Sequence, residues 1–382
     1  MKNFPEKLSD KLQQRTDANA IRKLSVSGTL TDFASNDYLG FSQSEQIFKQ
    51  AHNYLLKNKI ISNGSTGSRL ITGNHKLYSI TEDFLANFHQ SESALIFNSG
   101  YDANIGFFSS VPQKGDTVLY DEYIHASIRD GLRLSNANSY KFRHNDFNSL
   151  RALLEKYKKA GNEVYVVTES VFSMDGDSPD IYELVKICSK FESRLVIDEA
   201  HATGVFGNCG EGLIQQLNVQ NSVFARIITF GKAMGCHGAA ILVQQQLKQY
   251  LVNFARSFIY TTGMPPHSMA VILAAYNQLQ HNTAARKNLE NNIVFFLEEV
   301  NRLGLDELFI VSLSAIQCAV IPGNDIVKNI ALQLQQEGYN VKPILSPTVP
   351  QGQERLRFCL HSFNTQQEIT GVLTLLAAQV RP

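Results

Sequence analysis

Neither sign of charge is in excess in this chain. Its 35 lysines and arginines are matched by 35 aspartates and glutamates over 382 residues, so no global field favours nucleic acid or an anionic membrane. Cysteine is scarce and scattered: Cys188, Cys209, Cys236, Cys318 and Cys359 form no C-x-x-C, which excludes a zinc ribbon or a disulfide framework and fits a reduced compartment. No apolar run approaches the roughly 20 residues of a membrane span. The opening Met1-Lys2-Asn3-Phe4-Pro5-Glu6-Lys7 lacks the apolar stretch of a secretory signal, and repeats and low-complexity linkers are missing too. The expectation is a soluble, cytoplasmic protein whose partners are small molecules or a second copy of itself.

What is present is a rhythm. Short apolar strands at 94–97, 117–120, 164–167, 195–197, 227–229 and 239–243 are mostly separated by helix-length segments, the pattern of a largely parallel sheet covered on both faces. Residues 1–40 read as an arm, with a polar helix from Glu6 to Leu24. The alternation fills a large domain over 41–275. Beyond Met264-Pro265-Pro266 a long helical stretch (267–303) leads to strand candidates at 309–313, 315–321 and 356–360, so 276–382 reads as a smaller α+β domain.

Two of the strands end abruptly in residues that do chemistry. Val196-Ile197-Asp198-Glu199-Ala200-His201 is followed, about one βαβ unit later, by Ile227-Ile228-Thr229-Phe230-Gly231-Lys232-Ala233. Ligands of open parallel sheets sit outside the carboxyl ends of the strands, so Asp198, His201 and Lys232 are candidates to share one crevice. A carboxylate, an imidazole and an amine suit pyridoxal phosphate (PLP): the amine forms a Schiff base and the carboxylate keeps the pyridine nitrogen protonated. Asp-Glu-Ala-His also occurs in P-loop helicases, but the required G-x-x-x-x-G-K-[ST] is missing, since Ala233 follows Lys232 and Arg226 stands where the leading glycine belongs. A lone lysine after glycine is more often a solvated turn residue; the pairing of the two strand ends raises the functional reading.

Other strand ends add weaker signals. Asn98-Ser99-Gly100-Tyr101-Asp102-Ala103-Asn104 opens a helix and is a candidate phosphate cradle, or an ordinary turn. Thr229 offers a hydroxyl to the same phosphate or is a plain strand threonine. His125 is placed to stack on an aromatic cofactor or to serve structurally, and Ser173 to bond a phenolic oxygen or cap its turn.

Five motifs in order, with their spacing, resemble the α-oxoamine synthases, PLP enzymes of fold type I. They are Ser35-Asn36-Asp37-Tyr38-Leu39-Gly40, Phe172-Ser173-Met174-Asp175-Gly176-Asp177, Asp198-Glu199-Ala200-His201-Ala202-Thr203-Gly204, Thr229-Phe230-Gly231-Lys232 and Pro347-Thr348-Val349-Pro350, and they span nearly the whole chain. The resemblance implies a mainly parallel seven-stranded sheet in the large domain. It implies that Lys232 links the cofactor, Asp198 meets the pyridine nitrogen, Ser173 and His201 the phenolic oxygen, and His125 the ring face. Gly100 and Tyr101 would lie beside the cofactor, Thr229 beside its phosphate, and Thr261 or Thr262 would reach the phosphate of a partner subunit in a homodimer. Arg22, Asn36, Thr348 and Arg357 would bind substrate, Arg357 gripping the amino acid carboxylate through its planar fork.

The implied activity joins a small amino acid to an acyl thioester with loss of CO2. Within the family, the 254–266 segment and Pro347-Thr348-Val349-Pro350 favour alanine with a pimeloyl thioester, carried on CoA or on a carrier protein. Ile124-His125-Ala126-Ser127 and Phe142-Arg143-His144-Asn145-Asp146 are equally like branches using glycine with acetyl-CoA or serine with a long acyl chain. Glu211, where arginine is usual, and Cys236-His237, at a variable position, depart from the family pattern. A PLP- or nucleotide-binding protein without turnover is the distant alternative, and an intact Lys232, Asp198, His125 and Arg357 speak against it.

Overall fold

The structure is a computed structural model that describes residues 4–22, 24, 28–159 and 161–380. The chain divides into two compact units. The larger contains Asn36–Ser173 and Ser178–Lys287; the smaller contains Met1–Ser35, Met174–Asp177 and Asn288–Pro382. The N-terminal segment therefore groups with the C-terminal domain instead of standing as an arm. The reason is a backbone pairing: Thr31–Asp32 runs parallel to Tyr339–Asn340. The second boundary falls after Lys287 instead of at 275/276, and the helix Pro266–His281 packs on the larger unit's helices Glu45–Lys57 and Lys76–Phe88.

The larger unit is built on a seven-stranded sheet. Its strands are β1 (Ser93–Phe97), β2 (Thr117–Asp121), β3 (Asn138–Phe142), β4 (Val164–Glu169), β5 (Arg194–Asp198), β6 (Ala225–Thr229) and β7 (Ala239–Val243). They lie in the order β1-β7-β6-β5-β4-β2-β3. Only β7 runs against its neighbours; the β2, β3, β4, β5 and β6 pairings are parallel. The rhythm of apolar strands matches six of the seven. It passes over β3 because Asn138-Ser139-Tyr140-Lys141 is polar and largely exposed, as an edge strand facing solvent should be.

Side chains alternate across this sheet as the two-residue period requires. Val118, Tyr165, Val167, Val196 and Ile227 pack with Ala103, Phe107, Ile128 and Leu132 on one face. Leu119, Val164, Val166, Leu195 and Ile197 pack with Leu150, Leu154, Leu184 and Ile187 on the other. Continuing the alternation by one step puts Glu169 and Asp198 on the first face, below the helices Gly100–Ser110 and Ala126–Leu134.

The smaller unit carries a three-stranded antiparallel sheet in the order Lys342–Ile344, Arg355–Cys359, Ile316–Val320, with Phe296, Phe309 and Phe358 packed edge to face or tilted in its core. Three expected elements differ. The first helix stops at Asp17, where Ala18 and Asn19 turn the chain, the latter with φ 47°. The long helical stretch is two helices, Pro266–His281 and Ala284–Arg302, the second started by the Asn282 side chain accepting from Ala284 N at 3.0 Å. The expected strand at 309–313 reduces to one bridge, Phe309 with Ala319, because Ser312 and Ser314 take the backbone amides of Ser314 and Ile316 at 3.1 Å each and so compete with a ladder.

Candidate active site

The candidate groups stand beyond the carboxyl ends of β1, β2, β4, β5 and β6. Lys232, three residues beyond β6, donates from Nζ to His201 Nε2 at 2.5 Å. An imidazole nitrogen that accepts leaves its proton on the other one. His201 Nδ1 lies 2.7 Å from Tyr38 Oη, so it donates there, and the Tyr38 hydroxyl donates onward to Asn36 Oδ1 at 3.2 Å. The β5 and β6 ends thus share one chain of directed hydrogen bonds, as their pairing in the sequence leads one to expect.

Asp198, 6% exposed, is held from two sides. Its Oδ1 accepts from Ala200 N at 2.9 Å and its Oδ2 from Asn104 Nδ2 at 3.0 Å. The same amide nitrogen donates its other proton to Ser127 Oγ at 2.9 Å, which leaves the Ser127 hydroxyl free to donate to His125 Nδ1 at 2.7 Å. Ser127 N also points at His125 Nδ1, at 3.3 Å, so that nitrogen is an acceptor and the imidazole carries its proton on Nε2. Burial depresses the His125 pKa, Lys232 and Arg129 act in the same direction, and Asp198 and Asp130 oppose them. The ring is therefore held neutral and in one tautomer.

A cradle opens at the end of β1. Ser99 caps the helix Gly100–Ser110 by accepting from Asp102 N at 3.0 Å, and a Cβ on Gly100 would make ordinary contact with Thr229 Oγ1 at 3.7 Å, so the helix start lies beside that hydroxyl. Thr229 Oγ1 itself accepts from Gly231 N at 3.3 Å. The Tyr101 side chain is half exposed and donates to Asp130 Oδ2 at 2.9 Å. Asn98 Nδ2 binds Thr261 Oγ1 at 3.0 Å and Thr262 O at 2.8 Å, leaving Thr262 exposed. Ser173, 8% exposed, follows β4.

These groups fit PLP. A lysine amine, a buried carboxylate on the same sheet face, a neutral imidazole and a helix start beside a hydroxyl are the groups that would suit the cofactor's aldehyde carbon, ring nitrogen, ring face and phosphate respectively.

The substrate-binding candidates divide between the units. Asn36 belongs to the larger; Arg22, Thr348 and Arg357 belong to the smaller. Arg22 is exposed in the segment after the first helix. Thr348 is exposed in a turn closed by its own N donating to Leu345 O at 2.8 Å. Arg357, 8% exposed, sits on Arg355–Cys359 with Nη1 2.8 Å from Cys359 Sγ. Glu211 turns its carboxylate back to Cys209 N at 2.8 Å, so it serves its own glycine-rich loop. Sequence reasoning named no role for Tyr38, Asn104, Ser127 or Glu169. All four stand inside or beside the motifs that carry the site; a polar residue forced onto a buried helix face, as Asn104 is, was the available signal.

Comparison with known proteins bears on this geometry. The family model described as aminotransferase class I and II matches residues 29–375. An 8-amino-7-oxononanoate synthase from Emericella nidulans is 38% identical over 97% of this chain and 95% of its own length. Among solved structures, an 8-amino-7-oxononanoate synthase from Francisella tularensis superposes with a TM-score of 0.78 at 29% identity, covering 92% of this chain and 98% of that one. A serine palmitoyltransferase from S. paucimobilis with bound PLP reaches 0.88 over 98% and 96% of the two chains at 24% identity, a likeness of fold.

Proposed function

The chain belongs to the class I and II aminotransferase family and, within it, to the PLP-dependent α-oxoamine synthases, and from that premise we propose that it condenses L-alanine with a pimeloyl thioester to 8-amino-7-oxononanoate, CO2 and free thiol, a step of biotin biosynthesis. The observation that carries the chemistry is the convergence of Lys232, His201, Asp198 and His125 on one end of one sheet. The choice of branch is supported by the 38% identity to the Emericella nidulans synthase over nearly the full length. In the reaction a C–C bond forms between the alanine α-carbon and the thioester carbonyl carbon, the C–S bond breaks to release the thiol, and the bond to the α-carboxylate breaks to release CO2.

Bound PLP supplies an electron-withdrawing ring conjugated to the substrate's α-carbon. The residues of the chain do the rest. Lys232 would hold the cofactor through Nζ, and the same nitrogen, when free, is the amine placed to take the substrate's α-proton. His201 Nε2, already in contact with that nitrogen, orients it and can share the proton. Asp198 would hold a proton on the ring nitrogen; Asn104 and Ala200 N fix its two oxygens for that task. The neutral His125 would cover the ring face without adding a competing cation. Arg357 takes the amino acid carboxylate, Asn36 and Thr348 assist, and Arg22 receives the remote carboxylate of the pimeloyl chain. The proposed assembly is a homodimer with Thr262 reaching the partner's phosphate, supported by the exposed apolar side chains Leu70, Ile71 and Tyr260 on the larger unit.

The test is direct. Purified protein with L-alanine and pimeloyl-CoA should release thiol and yield 8-amino-7-oxononanoate by mass spectrometry, with kcat/KM above that for glycine plus acetyl-CoA or serine plus palmitoyl-CoA. A clear preference for either of those pairs assigns the chain to a sister branch with the same chemistry.

A further inference from the structure

We propose that Glu169 is a positioning residue that works as an uncharged acid: its carboxyl holds the main chain of His125 in place without adding a second anion beside Asp198. The proposal deepens the reading of His125 and Asp198 as cofactor residues.

The placement follows from register. On the parallel β4–β5 ladder Glu169 pairs with Asp198, and in-register residues of neighbouring strands point to the same face. Both are nearly sealed, with 2% and 6% exposure. Two carboxyl groups side by side in a buried site do not both ionise, since each would be charged in the other's field without solvent to screen it. Hydrogen bonding decides where the proton stays. Asp198 accepts from two donors, Ala200 N and Asn104 Nδ2; Glu169 accepts from one, His125 N, at 2.6 Å. The better-solvated carboxylate is Asp198, so the proton resides on Glu169.

The groups facing Glu169 act in both directions, and burial decides between them. Burial is the largest influence and pushes its pKa up to about 8, Asp198 and Asp121 add to the rise, and Lys232 and the His125 amide oppose it. At neutral pH the side chain is thus a carboxylic acid whose Oε1 still accepts from His125 N. That bond sets where the loop after β2 turns into the helix Ala126–Leu134, and hence where the imidazole lies. An ionised carboxylate in its place would put a second anion beside Asp198; an apolar side chain would release the His125 amide.

The holoenzyme supplies the test, with Glu169→Gln and Glu169→Ala. Infrared difference spectra of wild type minus Glu169→Gln should show the C=O stretch of a protonated carboxylic acid at pH 6.5, and it should vanish as the pH rises through about 8. This readout needs no substrate, so it stands or falls apart from the reading of the substrates. In turnover, Glu169→Ala should lose roughly tenfold or more in kcat, the scale of one hydrogen bond at a reacting group, and Glu169→Gln, which keeps an uncharged acceptor, should recover most of that loss. In a His125→Phe background, whose main-chain amide is still placed by residue 169 but whose side chain no longer covers the ring as imidazole, Glu169→Ala should cost much less. Absence of the protonated-acid band at pH 6.5 overturns the uncharged state. A Gln variant as impaired as Ala, or an undiminished loss in the His125→Phe background, overturns the positioning role.

Discussion

Replacing Asn104 by alanine tests the hydrogen-bond relay at its branch point. One amide nitrogen donates to Asp198 Oδ2 at 3.0 Å and to Ser127 Oγ at 2.9 Å in a site 2% exposed. Losing a bond to a charged acceptor costs about 1.5–3 kcal/mol and losing the neutral one about 0.5–1.5 kcal/mol. Against this, Asn104 Oδ1 is buried without a hydrogen-bond partner among the described residues, so removing the side chain also removes an unsatisfied acceptor worth about 1–3 kcal/mol. The two nearly offset in stability, and the net loss should be about 1 kcal/mol. Catalysis has no such compensation. If the charged bond holds Asp198 where the ring nitrogen needs it, about 1.5–3 kcal/mol appears in the barrier and kcat falls roughly ten- to a hundredfold. Ser127→Ala is the control, since it removes the hydroxyl donor to His125 Nδ1 but keeps the main-chain donor there and leaves Asp198 bonded, and its loss should be several times smaller. Steady-state kinetics at saturating cofactor, beside urea unfolding, separates the two effects. An Asn104→Ala enzyme with kcat within twofold of wild type would refute the relay, and one that loses several kcal/mol of stability would refute the accounting for Oδ1.

Three further outcomes are expected. Borohydride treatment followed by denaturation should leave the cofactor attached to the wild-type peptide containing Lys232 and to no peptide of Lys232→Ala, which should show no turnover; mass spectrometry of the digest decides it. Glu199→Ala should cost about 3–5 kcal/mol in urea unfolding, because Arg226, 3% exposed, would lose the carboxylate 3.5 Å from its Nη1 and remain a buried cation; pairing it with Arg226→Met should restore most of that loss. Arg22→Ala should raise KM for a pimeloyl thioester by tenfold or more while changing KM for an uncharged acyl thioester of similar length by less than twofold, and equal effects on both would remove Arg22 from carboxylate recognition.

The larger sheet and the chemistry at its strand ends were legible because both are local. Strands buried on both faces read as short apolar runs, and Asp198, His201 and Lys232 announce themselves by standing where those runs stop. The five motifs carried the family and the cofactor for the same reason: each is a few consecutive residues whose types are dictated by one contact. Other features depended on partners distant in the chain. The edge strand β3 is polar because solvent covers it, so its pattern is that of a loop until β2 supplies the ladder. The grouping of the N-terminal segment with the C-terminal domain rests on the pairing of Thr31–Asp32 with Tyr339–Asn340. Asn104 reaches Asp198 across 94 residues, and nothing in its own helix says that it branches a relay to His125. Glu169 illustrates the division most plainly. Its place at the end of a strand is written locally, but whether that carboxyl is an anion or an acid depends on the β4–β5 register that sets it beside Asp198 and on the burial that removes water from both. The charge state of such a group is a property of the assembled sheet, because the field and the desolvation that decide it come from residues that meet only on folding.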